Sequence, residues 1–193
     1  MRQWYSGAQP APVPTLNSVT DSPWGDERRF FAIRDADAPP TSDWQINLKL
    51  ERNHSYELRI LVSNSAAAPI PDSSLKRTRV SVNLPTCTGQ FISTVAFVDA
   101  KNANPTEVYN SVGLSADQPF NISYESTSAR QCTNTNPCST TDDNLIAGGL
   151  QLPEDIFTST GAAVGTNALD GIVGGGNGNA VMVMFRIHPQ FAA

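Results

Sequence analysis

The chain has 193 residues, of which 39% are hydrophobic and 16% are charged, and its formal net charge is -5. The excess of acid lies in residues 101–193, where eight carboxylates outnumber Lys101, Arg130 and Arg186. This charge distribution lacks the basic footprint of a nucleic-acid-binding protein. No apolar run approaches the roughly 20 residues that cross a bilayer. We therefore expect neither a nucleic-acid partner nor membrane insertion by this chain.

The chain begins with a proline-rich segment. Residues 8–14 read Ala-Gln-Pro-Ala-Pro-Val-Pro, and sequences of this kind form extended, stiff spacers. We predict a flexible linker over residues 1–14 and a single β-sandwich domain over 15–193. Residues 1–7 lack the basic and apolar regions of a signal peptide. The protein is therefore either cytosolic or a piece of a longer exported chain, and the polar composition and the cysteines favour an extracellular or cell-surface location.

Alternation with a period of two residues recurs between residues 44 and 130. Tyr56, Leu58 and Ile60, for example, are separated by Glu57 and Arg59. Such a strand has one apolar and one wet face, as half-buried antiparallel strands do. We predict an all-β protein, an antiparallel β-sandwich with an immunoglobulin-like or related Greek-key topology. The predicted strands cover residues 16–20, 29–35, 44–50, 55–64, 76–84, 90–99, 111–115, 120–127, 149–152 and 180–188.

The connections are predicted from local signals. Residues 51–54 are expected to join two strands as a hairpin, and the apolar strand 180–188 is expected at the centre of the sheet. The glycine-rich loop before that strand is predicted to turn at Asn177 and Gly178 with positive φ. One or two short peripheral helical turns are expected, at residues 153–157 and 104–109.

Three cysteines are present. Cys132 and Cys138 flank a short polar loop that can bring their Cα atoms within disulfide range, so we predict a disulfide between them. Cys87 is left over and is expected to be a lone, partly buried thiol, the alternative being an intermolecular bridge. A zinc site lacks ligands, because there is no paired CxxC motif and the two histidines are far apart.

The densest polar and aromatic cluster covers residues 21–31. Asp21, Asp26 and Glu27 are candidate calcium ligands, because calcium binds six to eight oxygen atoms. The alternative is structural: residues 23–25 form a turn, and one of the two later acids pairs with Arg28 or Arg29. Otherwise we expect no cofactor.

Trp24 is a candidate ligand-binding residue. Together with Trp4 and Trp44 it forms a possible sugar-stacking platform, although tryptophans of this kind also pack in or beside a core.

Hydrolytic chemistry needs a nucleophile with a base, or two carboxylates in one cleft. The chain has no GxSxG motif, and His54 and His188 are expected in a turn and at a strand end. The acidic pairs 142–143 and 154–155 are most simply solvated loop charges. We therefore expect the protein not to be an enzyme.

Five segments together resemble an uncharacterised module of exported actinobacterial and candidate-phylum proteins: 16–21, 24–30, 56–64, 82–89 and 169–171. The resemblance covers about residues 15–188, and its most specific part is the Gly-Asp-Glu-Arg element at 25–28. More loosely, the module is similar to immunoglobulin-like repeats of bacterial surface proteins. The resemblance implies a non-enzymatic structural or adhesive module, a spacer or stalk repeat that contacts neighbouring modules or surface glycans. The alternative is a glycan-binding or calcium-dependent module.

Overall fold

A computed structural model describes residues 3–39, 42–68, 70, 72–140 and 146–191. Within these residues the chain forms strands and three short 3-10 turns, which confirms the predicted all-β class. None of the described helices is long and apolar enough to cross a membrane. The strands are β1 Phe31–Asp35, β2 Asn47–Lys49, β3 Tyr56–Val62, β4 Arg79–Asn83, β5 Gly89–Asp99, β6 Glu107–Tyr124, β7 Arg130–Cys132, β8 Cys138–Thr140, β9 Ile146–Gly148, β10 Leu150–Gln151, β11 Ala162–Ala163 and β12 Val181–Phe191. The 3-10 turns are Glu27–Arg29, Glu154–Phe157 and Asn177–Asn179.

The main sheet has the order β1-β3-β12-β6-β5-β4-β11. Neighbours on this path are antiparallel, whereas β2 runs parallel to β6. The short strand β7 pairs with β12 and with β10, and β8 and β9 form a separate ladder. The predicted two-layer sandwich and its immunoglobulin-like topology stay predictions.

Strand β12 lies at the centre of the sheet, as its apolar sequence predicted. It pairs with β3 along one edge and with β7 and β6 along the other. Its side chains Val183, Phe185 and Ile187 are fully buried in one continuous core with Leu58 and Ile60 of β3. This core fixes β3, whose opposite face carries the polar residues discussed below.

Several predicted elements differ from the structure. The residues around 16–20 make only isolated bridges, such as that between Leu16 and Asn64. The predicted hairpin at 51–54 is absent, because β2 pairs with β6 rather than with β3. Residues 104–109 are not helical, since β6 already begins at Glu107. The 3-10 turn Glu154–Phe157 does form where a helical turn was expected.

Strand β6 covers the predicted strand 111–115 and the first five residues of the predicted strand 120–127. Its first part pairs with β5, and its end pairs with β12. The register shifts between Gly89 and Phe91 of β5, opposite the part of β6 that contains Pro119. Proline has no N–H to donate and is tolerated at such irregular positions. One strand therefore connects two regions of the sheet.

The proline-rich N-terminal segment lies against the folded body. Tyr5 N donates to Ser18 O at 3.0 Å, and Ala11 N donates to Ser65 O at 2.8 Å. Ala11 is fully buried. In its described part the segment therefore differs from the free spacer that its prolines suggest, because long-range hydrogen bonds hold it.

The disulfide between Cys132 and Cys138 is confirmed, with a Cα–Cα distance of 5.2 Å. Next to it, Gly149 adopts a φ of 61°, and a Cβ there would lie 2.6 Å from Cys138 Sγ. Glycine is thus required where the chain passes the bridge. The partly buried position expected for Cys87 is wrong: its thiol is free and exposed, since the residues around it belong to no strand.

The glycine-rich loop turns one residue earlier than predicted. Gly176 has the positive φ, 84°, and the 3-10 turn Asn177–Asn179 follows it. The acids Asp142 and Asp143 lie outside the described residues.

Candidate functional site

Charged side chains lie in a row across β1, β3 and β12, on the face of the sheet opposite the apolar side chains Leu58 and Ile60 of β3. Arg34 of β1 lies opposite Glu57 of β3, which in turn lies opposite Arg186 of β12. Residues directly opposite on neighbouring strands share a face of the sheet. Arg34 donates to Glu57 Oε2 from Nε at 2.9 Å and from Nη2 at 2.7 Å, and the Glu57 side chain is 1% exposed. A buried ion pair therefore anchors this face.

Trp44 lies over two guanidinium groups. Its ring centroid is 4.7 Å from Arg34 Cζ and 4.5 Å from Arg59 Cζ. Arginine over an indole face is favourable electrostatically and by stacking. The two arginines therefore fix the position of Trp44 beside the sheet.

An open cleft of about 540 Å³ lies beside Trp44, and we call it the Trp44 cleft. Its walls combine two tryptophan rings with amide, guanidinium and carboxylate groups. The lining residues are Trp24, Asp26, Arg29, Ala32, Trp44, Gln45, Ile46, Asn47 and Arg59. Trp24 is 46% exposed, so its ring is available to a ligand.

A second, smaller hollow of about 190 Å³ is also lined by Trp24. Leu61, Met182 and the disulfide Cys132–Cys138 line it, and we call it the disulfide hollow. Leu61 follows Arg59 by two residues on the same face of β3, a rise of about 7 Å. The Trp44 cleft and the disulfide hollow thus adjoin one another along the sheet, and both are bordered by Trp24.

The first two acids of the 21–27 turn have different hydrogen-bond partners. Asp26 caps the turn Glu27–Arg29 and binds Arg28, with Nε at 2.7 Å from Oδ1 and 2.8 Å from Oδ2. These hydrogen bonds hold the pKa of the Asp26 carboxyl below its usual range. Asp21 accepts a hydrogen bond from Gly7 N at 2.6 Å.

Glu27 is buried, with 1% exposure. Its carboxylate accepts hydrogen bonds from Val19 N at 3.1 Å, Ser63 Oγ at 2.8 Å and Ser65 Oγ at 3.2 Å. Burial raises the pKa of this carboxyl despite these donors. Glu27 therefore ties Val19 to the chain just after β3.

Calcium binding by Asp21, Asp26 and Glu27 stays a prediction. An ion there would have to replace the Gly7 amide, the Arg28 guanidinium and the two serine hydroxyls as partners. The contacts agree with the structural alternative for Asp26, whose partner is Arg28. Glu27 instead pairs with hydroxyls and an amide.

One described group of three side chains has the spacing to hold a metal ion, namely Asp35, Asp37 and His54. His54 Nδ1 lies 2.7 Å from Asp35 Oδ2 and 3.9 Å from Asp37 Oδ2. The hydrogen bond with Asp35 raises the pKa of His54. The cluster is partly exposed and is already paired internally.

This histidine gives a pH-dependent prediction. Because its pKa is raised in the folded state, the pair stabilises the protein fully below pH 6.5, and the effect is lost as the pH rises through the folded-state pKa. We expect His54→Gln to cost under about 1 kcal/mol at pH 5.5, since the site is screened by solvent, and nothing at pH 9. Urea unfolding at both pH values measures this, and an equal cost at both would contradict it.

Ser55, His188 and Glu125 form a hydrogen-bonded row. Ser55 Oγ lies 3.3 Å from His188 Nδ1, and His188 Nε2 lies 3.0 Å from Glu125 Oε2. In serine hydrolases the other imidazole nitrogen, Nε2, faces the serine. None of these three residues lines the Trp44 cleft or the disulfide hollow, so the row is separate from the candidate site.

Sequence reasoning singled out Trp24 and Trp44 but missed Arg59. The alternation places Glu57 and Arg59 on the wet face of a half-buried strand. The sequence signal that could have identified Arg59 is the presence of two charged residues, Glu57 and Arg59, in an otherwise apolar strand. Charged side chains need partners when other residues cover them. Trp4, the third tryptophan, lies over Arg28 at 4.6 Å and outside the cleft.

Comparison of the chain with models of known protein families, with curated proteins and with solved structures finds no match.

Proposed function

We propose that the chain is a non-enzymatic, exported β module that binds a glycan in the Trp44 cleft. The observation that carries the proposal is that Trp24 and Trp44 line one open cleft together with the side-chain amides of Gln45 and Asn47. An apolar ring face beside hydrogen-bonding groups suits a sugar, which has apolar C–H faces and a rim of hydroxyls. Ligand sites commonly combine aromatic walls with a few polar groups in this way.

The disulfide hollow supports a chain-like ligand rather than a single small molecule. It continues the surface past Trp24, so an oligosaccharide lying across this ring reaches both spaces. An exported location is supported by the disulfide, because such bonds persist in oxidising compartments. The resemblance to exported bacterial modules is likewise part of this proposal. A spacer or stalk repeat with a glycan-binding cleft would act as an adhesive module.

The experiment is a binding titration followed by tryptophan fluorescence and calorimetry. The probes are soluble β-glucan, mannan, xylan and oligogalacturonate. We expect at least one to bind, and Trp24→Ala and Trp44→Ala each to weaken its binding by about tenfold or more, as truncation of an aromatic anchor does. Trp4→Ala is the matched control, because Trp4 is 49% exposed but does not line the cleft.

Two outcomes would contradict the proposal. If none of the four polysaccharides binds, the glycan function is wrong. If Trp4→Ala weakens binding as much as the two cleft variants do, the site lies elsewhere. Circular dichroism of each variant checks that the fold is retained.

A further inference from the structure

The Trp44 cleft carries positive charge that the described residues do not neutralise. Arg29 and Arg59 both line it, and neither forms a salt bridge with any described carboxylate. Asp26 is the acidic lining residue, and its two oxygens are already engaged by Arg28. The cleft is therefore cationic within a chain whose net charge is -5.

Arg59 is the better placed of the two cations. It lies in the middle of β3, it is half-buried, and Trp44 stacks on it at 4.5 Å. Its neighbour Arg34 is compensated by Glu57, whereas Arg59 is not. Burial, with a smaller contribution from Arg34, lowers the pKa of Arg59 to about 10. The group stays charged at neutral pH, but its charge is poorly solvated and would be stabilised by an anion.

A guanidinium held in place by stacking is preorganised for an oxyanion. Arginine offers several N–H donors in a planar fork that matches a carboxylate or a sulfate. Because Trp44 fixes the Arg59 head, less conformational entropy is lost when a ligand binds. Arg29, which is exposed, lies on the same cleft and can add a second contact.

We infer that the ligand of the Trp44 cleft is an anionic glycan, whose carboxylate or sulfate group binds Arg59 while its sugar rings pack on Trp24 and Trp44. This inference rests on the proposed glycan function and names the chemical class of the ligand. The occupant is chosen by charge complementarity, since a neutral glycan would leave Arg59 in the covered cleft without a counter-charge.

The experiment uses pairs of probes that share a sugar backbone and differ in charge. Oligogalacturonate is compared with its methyl ester, and dextran sulfate with dextran, by calorimetry at low and high salt. We expect an acidic probe to bind about tenfold or more tightly than its neutral partner, as a charge-assisted hydrogen bond allows. This preference should fall as salt rises. A comparison of the two acidic probes then shows whether the cleft prefers a carboxylate or a sulfate.

Arg59→Gln should remove the preference for the acidic probe. Lys101→Gln is the matched control, because it changes the net charge equally at an exposed position outside the Trp44 cleft. Should Arg59→Gln fail to fold, Arg29→Gln serves instead and should reduce the preference.

The inference is overturned if the neutral probes bind as tightly as the acidic ones and binding still depends on Trp24 and Trp44, an outcome that leaves the proposed glycan function standing. It is also overturned if Lys101→Gln lowers the preference as much as Arg59→Gln does. If no probe of either charge binds, the inference and the proposed function fail together.

Discussion

Replacing Glu27 with alanine is expected to lower the free energy of unfolding by about 3–5 kcal/mol, since each buried donor left without a partner costs about 1–3 kcal/mol. The variant strands the Val19 amide and the hydroxyls of Ser63 and Ser65. Serine hydroxyls can rotate to other acceptors, whereas the Val19 amide cannot. The total cost therefore stays below the sum expected for three unpaired donors. Urea unfolding followed by circular dichroism measures it.

Glu154→Ala is the matched control, because Glu154 is an exposed glutamate whose carboxylate accepts from Ser126 Oγ. It should cost under about 1 kcal/mol, as surface changes usually do. If the two variants unfold at the same urea concentration, the hydrogen bonds of Glu27 with Val19, Ser63 and Ser65 do not stabilise the fold.

The same carboxyl gives the prediction a pH dependence. Burial raises the pKa of Glu27 in the folded state above its unfolded value of about 4.5, so the folded protein binds the proton more readily than the unfolded chain does. The stability that comes from this group is therefore greatest at low pH and declines as the pH rises through the folded-state pKa. We compare the free energy of unfolding of the unaltered protein with that of Glu27→Gln at each pH. The difference should favour the unaltered protein less at pH 7.5 than at pH 3.5.

The sequence predicted β3 correctly but not the environment of its second face. Alternation shows which side chains share a face, and it assigned Tyr56, Leu58 and Ile60 to the core, where they lie. It cannot show what packs on the other face. Trp44 and Arg34 come from other parts of the chain, and the contact of Trp44 with Arg34 and Arg59 depends on the sheet order.

Local signals failed where long-range hydrogen bonds decide the structure. The prolines predicted a flexible linker over residues 1–14, whereas hydrogen bonds to Ser18 and Ser65 hold its described part. The polar stretch before Phe120 resembles a turn between two strands, whereas β6 continues through it and changes its pairing partner. The disulfide was predictable because its ring is short and local, so the two cysteines meet in almost any arrangement of the sheet.

The candidate site was predictable only in part for the same reason. Trp24 and Trp44 stand out in the sequence as tryptophans near polar residues, so a stacking role could be proposed for them. The three carboxylates of the 21–27 turn are close in sequence, but the turn directs them to separate partners. Proximity in sequence therefore did not show which hydrogen-bond partners these carboxylates have.

Glu57→Leu is expected to destabilise the protein by about 3–5 kcal/mol, because removing one member of a buried ion pair leaves its partner's charge uncompensated. Glu57 lies between Arg34 and Arg186, and Arg186 is 3% exposed with Nε and Nη2 unpaired among the described residues. Arg34 thus loses its ion-pair partner, and Arg186 loses the carboxylate that lies opposite it on β3. The exposed pair of Lys49 and Asp117 is the control, and Lys49→Ala should leave the urea midpoint almost unchanged because solvent screens this pair.

The double variant Arg34→Met with Glu57→Leu should be more stable than Glu57→Leu alone, since apolar side chains of similar size can replace a buried pair. Recovery should be incomplete, because Arg186 still lacks its neighbouring carboxylate. A double-mutant cycle from urea unfolding gives the coupling energy, which we expect to exceed about 1 kcal/mol. If the two single changes are additive, the pair does not act as a unit.

The double variant also separates stability from binding. Arg34 stacks on Trp44, so its loss should release that ring and shift tryptophan fluorescence to longer wavelength even when the protein is folded. Glycan binding in the Trp44 cleft should then weaken, although Arg59 and Trp24 remain in place. If the folded double variant binds glycan as tightly as the unaltered protein, the ion pair supports the sheet alone and Arg59 suffices to position Trp44.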